Sequence, residues 1–345
     1  ASSLCNLRCR YCFYADVSDN REVKSMGVMS RETAGALIKA AFATADEHGA
    51  VSFAFQGGEP TVAGLDFFRD FVAMVSAFRP LDRQVSYALL VGLSVDGYRE
   101  LHDHYRVDTK GEGTYGRVAK ALALLQKFEV ETNLLCVVTG QCAKHPQKTY
   151  ASMKKLGVRY LQFIPCLDPL EEQRGRAVYS LTPKLYGDFL CGLFDQWYRD
   201  WAEGHYTSVR LFDDYVHLAM GEPASTCAAS GGCGSYFVVE ADGGVYPCDF
   251  YVLDRWRMGD VHTDSLKQLA NDETASEFLR QGRLRPSRCA SCRWVPLCNG
   301  GCRRDWTGGA DDTENYYCES FRRFFEYAAD RIGEIAWQER RSRMR

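Results

Sequence analysis

Cys5, Cys9 and Cys12 stand in one short run, Cys5-Asn6-Leu7-Arg8-Cys9-Arg10-Tyr11-Cys12-Phe13. The spacing is C-x3-C-x2-C. Three thiols so close together must share one metal group, and the rest of the chain has to fold around it. A structural zinc site closes with four protein ligands, so three leave it one short. An iron–sulfur cubane held by three cysteines instead keeps one iron open to a substrate or cofactor. Ligand count favours the cluster over zinc.

The surroundings fit a soluble enzyme. A chain of 345 residues implies two or three domains with ample core. A net charge of −3 gives no electrostatic case for a nucleic-acid or membrane-surface partner. No apolar run approaches the length of a membrane span. The fifteen cysteines are clustered, and a chain of this size needs no disulfide staples, so most are read as metal ligands in a reducing cytoplasm. No signal peptide is read. The chain opens at Ala1 rather than Met, and its natural start is expected to lie upstream.

The first half alternates short apolar runs with amphipathic stretches, which argues βα units and a parallel sheet. Helices are expected over 30–47 with Ser30 as N-cap, over 64–78, over 114–128, after Pro146, and over 182–201 behind Thr182-Pro183. Strands are expected over 51–55, 85–89, 90–95, 132–138 and 160–164. The join at Leu89–Leu90 is physically odd. Neighbouring parallel strands need a crossover of about a dozen residues, so a missing segment is expected there, with a missing first strand ahead of Ala1. From about Cys227 the apolar periodicity weakens while Gly and Cys rise. Asp242-Gly243-Gly244 reads as a hairpin turn between 237–239 and 245–246. A last amphipathic helix is expected over 316–338, with the basic tail 340–345 a solvated or frayed end.

Gln56-Gly57-Gly58-Glu59-Pro60 follows strand 51–55, where paired glycines let backbone approach a ligand. Eight more cysteines sit late in the chain: Cys227, Cys233, Cys248, Cys289, Cys292, Cys298, Cys302 and Cys318. Eight thiolates suffice for two closed four-ligand groups, and two zinc ribbons are the bland alternative. Spacing alone leaves the pairing open. Cys136, Cys142, Cys166 and Cys191 lack this clustering and read as small buried apolar residues. Asp249, next to Cys248, could take a proton from a substrate or simply cap a turn.

The C-x3-C-x2-C run resembles that of radical S-adenosylmethionine (SAM) enzymes. With Ser52 to Pro60, Gln162-Phe163, Cys166-Leu167-Asp168-Pro169-Leu170 and Tyr246-Pro247-Cys248-Asp249-Phe250-Tyr251, nearly the whole chain resembles the anaerobic sulfatase-maturating enzymes. That resemblance implies an α/β fold: a partial (β/α)6 barrel over 1–168, a helical connector over 169–225, and a cysteine-rich SPASM domain over 226–345. It implies three [4Fe-4S] clusters and SAM. Cys5, Cys9 and Cys12 would hold the reactive cluster. Cys227, Cys233, Cys248 and Cys302 would hold one closed cluster, and Cys289, Cys292, Cys298 and Cys318 the other. Gly58 and Glu59 would meet the methionyl amino group, Ser94 and Arg106 the carboxylate, and Tyr11 and Leu167 the adenine. Tyr14, Gln56 and Gln162 would line a peptide channel, with Asp249 as base. The implied reaction converts Cys or Ser in a C/S-x-P/A-x-R stretch of an unfolded sulfatase to Cα-formylglycine. A flavodoxin or ferredoxin would supply electrons. Another SPASM radical enzyme, cross-linking or epimerising a ribosomal peptide, and a non-catalytic metal-binding adaptor are the competing readings.

Overall fold

A computed structural model describes residues 1–87, 91–234, 236–308 and 313–344. The expected break at Leu89–Leu90 lies outside the described residues. The chain divides into two compact units whose segments interleave in sequence: Ala1–Arg8, Cys12–Leu89 and Cys233–Gln281 form one, and Cys9–Tyr11, Leu90–Gly232 and Gly282–Arg345 the other.

In the first unit, strands Ala50–Phe53 and Gln84–Tyr87 run parallel, with Val51 beside Val85 and Phe53 beside Tyr87. Helix Arg31–Thr44 begins where the sequence says: the Ser30 hydroxyl accepts from the Thr33 amide at 3.0 Å, filling one of the first-turn donors a helix leaves open. It and helix Leu65–Phe78 bury Ile38, Phe42, Phe71 and Val75 against Val51 and Phe53. The first half of the cysteine-rich region belongs to the same unit. Its hairpin, Val238–Val239 with Gly244–Tyr246, turns as expected. The apolar core around Val245, Met258 and Leu266 closes on Ala36, Leu37 and Ala40 of helix Arg31–Thr44.

The second unit carries a four-stranded parallel sheet in the order Val91–Ser94, Thr132–Val138, Tyr160–Pro165, Ser208–Val209. The last strand falls inside the segment read as a helical connector. Helices separate successive strands, as parallel pairing requires. One sheet face is apolar and closed: Leu134, Cys136, Val138, Leu161 and Phe163 are buried. The other face carries the alternate residues. Cys142 and Cys166 are buried with Cys136, while Cys191 is half-buried.

The final helix runs from Cys318 to Arg343, longer than expected, and its basic end is not frayed. The Arg340 guanidinium donates to the Met220 carbonyl, and Arg343 pairs with Glu222 at 2.6 Å. Phe324 stacks on Phe212 and meets Phe194 edge-on, so the helix is anchored along its length.

Candidate active site

Within the second unit, the middle of the cysteine loop is fastened to Tyr105, Arg106 and Asp96. The Arg10 amide donates to the Tyr105 carbonyl at 3.0 Å. Arg106 forks onto Asp96, Nε to Oδ2 at 3.0 Å and Nη2 to Oδ1 at 3.1 Å. Its Nη1 lies 3.8 Å from Cys9 Sγ, and its guanidinium stands 5.4 Å from the Tyr11 ring centre. Burial alone would lower the Arg106 pKa, but the Asp96 carboxylate reverses this and raises it. The buried Tyr11 hydroxyl donates to Asp96, and burial, reinforced by that negative charge, holds it well above its ordinary range. His102 is buried completely. Burial lowers it to about 4, so it is neutral. Its Nδ1 accepts from the Asp96 amide at 3.3 Å, leaving Nε2–H to donate to the Thr114 hydroxyl at 3.0 Å, which donates to the Arg106 carbonyl at 2.8 Å.

Parallel register puts Ser94 beside Leu135 and Leu135 beside Gln162. Side chains at one level of a parallel sheet share a face. Ser94 and Gln162 therefore lie on the same, open face. Leu167, half-buried, follows the end of strand Tyr160–Pro165.

The first unit holds the glycine-rich run. The Gly58 and Glu59 amides donate to the carbonyls of Ser2 and Leu4 at 3.2 and 2.8 Å. A Cβ on Gly58 would sit 2.4 Å from the Leu4 carbonyl oxygen, so only glycine fits beside the approach to Cys5. The Glu59 carboxylate accepts from the Thr61 amide and hydroxyl at 3.0 and 2.7 Å. Asp249 opens the short helix Asp249–Tyr251, whose N-cap position is held by Cys248. Gln56 Nε2 donates to its Oδ2 at 2.6 Å and the Tyr236 hydroxyl to its Oδ1 at 2.9 Å. Gln56 thus sits on the carboxylate. Tyr14 is turned inward, its hydroxyl donating to Glu240 at 2.9 Å, with Arg21 alongside at 3.6 Å from Glu240.

The donor sets are all cysteine, the ligand type of iron–sulfur clusters. Cys289, Cys292, Cys298 and Cys318 line one cavity of about 390 Å³ in the second unit. Burial, with Cys318, Cys289 and Cys292 nearby, pushes the Cys298 thiol up to about 12, so a metal group must displace its proton to bind. Zinc would draw its thiolates to about 3.7 Å from each other, given Zn–S near 2.3 Å. A cubane holds them wider, because each binds a different iron. Cys5, in the first unit, is raised by burial and feels Cys12. Burial and then Asp249 raise Cys248 to about 12. Cys233 and Cys248 belong to the first unit, Cys227 and Cys302 to the second.

Sequence reasoning missed Asp96, His102, Tyr236 and Glu240. Asp96 had one available signal, its place two residues beyond Ser94 at a strand end.

Residues 231–293 match the family profile of an iron–sulfur cluster-binding domain, SPASM. The chain is 39% identical over 360 residues to the cysteine-type anaerobic sulfatase-maturating enzyme of Clostridium novyi, covering 97% of this chain and 95% of that one. The enzyme of the same description from Clostridium perfringens strain 13 is 42% identical over 358 residues, covering 97% and 96%. The solved structure of native anSMEcpe with bound AdoMet and Cp18Cys peptide superposes with a TM-score of 0.91 at 40% identity, covering 98% of this chain and 97% of that one. The expected fold, a partial radical SAM barrel followed by a SPASM domain, is the fold of this chain. With these cysteines and this architecture, the chain belongs to the anaerobic sulfatase-maturating enzymes, a family of radical SAM oxidoreductases.

Proposed function

We propose that this chain oxidises a cysteine in a C-x-P/A-x-R stretch of an unfolded sulfatase to Cα-formylglycine. Cysteine rather than serine is the favoured target, because the relatives at 39% and 42% identity are of cysteine type. Three [4Fe-4S] clusters and SAM supply the hard chemistry: a 5′-deoxyadenosyl radical that takes a hydrogen atom from Cβ, and closed clusters that accept the remaining electron. Cys5, Cys9 and Cys12 would hold the reactive cluster. Cys289, Cys292, Cys298 and Cys318 would hold one closed cluster, and Cys227, Cys233, Cys248 and Cys302 the other. Gly58 and Glu59 meet the SAM amino group, Ser94 and Arg106 its carboxylate, and Tyr11 and Leu167 its adenine. Gln162 faces the peptide.

Asp249 takes the thiol proton. The observation that carries this role is its double anchoring, 2.6 Å from Gln56 and 2.9 Å from Tyr236, directly after Cys248. Gln56 and Tyr236 fix the orientation of the carboxylate; Oδ1 also accepts from Cys248 Sγ at 3.5 Å, and Oδ2 keeps a lone pair for the incoming proton. Water then hydrolyses the thioaldehyde to the aldehyde, with the sulfur leaving as hydrogen sulfide. Asp249→Asn tests this: SAM is still cleaved to 5′-deoxyadenosine while formylglycine falls by about 10²-fold or more. Unchanged formylglycine removes Asp249 as the base.

The sequence segments 1–168, 169–225 and 226–345 serve SAM chemistry, connection and electron transfer. A low-potential flavodoxin or ferredoxin is the donor, and the cytoplasm is the setting. Among the described residues no helix is long and apolar enough to cross a membrane.

A further inference from the structure

We propose that Asp96 is a positioning residue of the SAM site, acting through Arg106 and Tyr11. The proposal rests on the reading of those two residues as SAM contacts. Asp96 is 1% exposed, and four donors converge on its carboxylate. Arg106 supplies Nε at 3.0 Å and Nη2 at 3.1 Å. The Val137 amide, on the neighbouring strand, supplies a third at 3.0 Å. The Tyr11 hydroxyl, from inside the cysteine loop, is the fourth.

This arrangement decides where Arg106 points. A guanidinium has five N–H groups in a rigid fork. With Nε and Nη2 each committed to Asp96, the fork can neither rotate nor tilt, and Nη1 is held 3.8 Å from Cys9 Sγ. Nη1 donates one hydrogen to Cys9 Sγ, and its other hydrogen remains for an anion bound beside the cysteine loop. The same carboxylate fixes the Tyr11 ring from its hydroxyl end, between Cys9 and Cys12 in sequence. Main chain is fixed as well as side chain, because neutral His102 joins the Asp96 amide to the Arg106 carbonyl by way of Thr114. A buried ion pair adds little net stability over a well-packed apolar pair. What it adds here is direction: a cation aimed at one point and an aromatic ring held at one angle.

The test is SAM affinity of the anaerobically reconstituted holoenzyme, measured by equilibrium binding for wild type, Asp96→Asn, Arg106→Gln, Arg106→Lys, Tyr11→Phe and the Asp96→Asn/Arg106→Gln double variant. Iron content and thermal midpoint establish that each is folded. Asp96→Asn and Arg106→Gln should each weaken SAM binding about tenfold or more. The double variant should bind within about twofold of Arg106→Gln, because residues acting as one unit are not additive. Arg106→Lys should lose nearly as much as Arg106→Gln, since a lysine cannot make the fork. Tyr11→Phe should lose about threefold with its iron complete. If Asp96→Asn keeps wild-type affinity while Arg106→Gln loses it, the proposal falls and the SAM reading stands. If Arg106→Gln keeps wild-type affinity, the SAM reading of Arg106 is the one that falls. Additive losses mean that Asp96 does not act through Arg106, which also overturns the proposal. Should Asp96→Asn not retain its clusters, Arg106→Lys decides, since wild-type affinity in that variant refutes an oriented fork.

Discussion

His102 sets a pH dependence of stability whose size follows from its burial. The folded protein holds this imidazole at about 4 against an ordinary 6.5, because burial penalises the charged ring. The unfolded chain therefore takes up the proton first. The contribution is complete above pH 6.5 and is lost as the pH falls from there towards about 4. Fully lost, it amounts to about 3 kcal/mol, from about 1.4 kcal/mol per pKa unit. Between about pH 7.5 and about pH 5.5 the share lost is about 1.3 kcal/mol. The perturbation is His102→Gln, which keeps a donor and an acceptor but does not titrate. Urea unfolding of both proteins at the two pH values gives the stability difference at each. The variant lowers stability at both values, and the gap to wild type should shrink by about 1.3 kcal/mol at the lower pH. A gap that stays constant, or widens, refutes a buried neutral His102 and with it the tautomer that links Asp96 to Arg106.

Ser30→Ala should lower stability by about 1 kcal/mol through loss of the helix cap, read as a drop in thermal midpoint, with peptide oxidation per folded enzyme unchanged. Gly58→Ala should cost about 1–3 kcal/mol, because the new Cβ meets backbone at Leu4 and Ser3, at 2.4 and 2.7 Å. Its SAM affinity should fall with it in a binding titration, and wild-type affinity would remove Gly58 from the site. Cys298→Ala should cost about four irons per chain while SAM cleavage by the front cluster persists. Iron and acid-labile sulfide analysis beside a 5′-deoxyadenosine assay checks both halves.

Where local chemistry decided the structure, the sequence was legible. Strand Thr132–Val138 has the bounds its apolar run suggests, and Ser30 and Thr182 cap the helices they precede. Helix Arg99–Tyr105 was not visible, because one of its buried residues is a histidine that reads as polar. Ser208–Val209, two residues long, is too short to carry a periodicity. Cysteine count pointed to metal groups, but spacing left open which cysteines would share one. The polar shell did not announce itself, because its partners are distant in sequence. Asp96 meets Arg106 ten residues on, Val137 forty-one on and Tyr11 eighty-five back. Gln56 reaches Asp249 across 193 positions. Such pairs exist only once strands and loops have been brought together, and no window of sequence contains them. The final helix was cut short for a related reason. The run of arginines is exposed, as it reads, but nothing in the sequence shows that Arg340 and Arg343 reach Met220 and Glu222.

The reaction itself is tested most directly by anaerobic incubation of the reduced holoenzyme with SAM and a peptide containing Cys-x-Pro-x-Arg, followed by hydrazide capture and fragmentation mass spectrometry. An aldehyde is expected at the cysteine position, formed together with 5′-deoxyadenosine. A thioether bridge or an inverted stereocentre, with 5′-deoxyadenosine formed and no aldehyde, would contradict it.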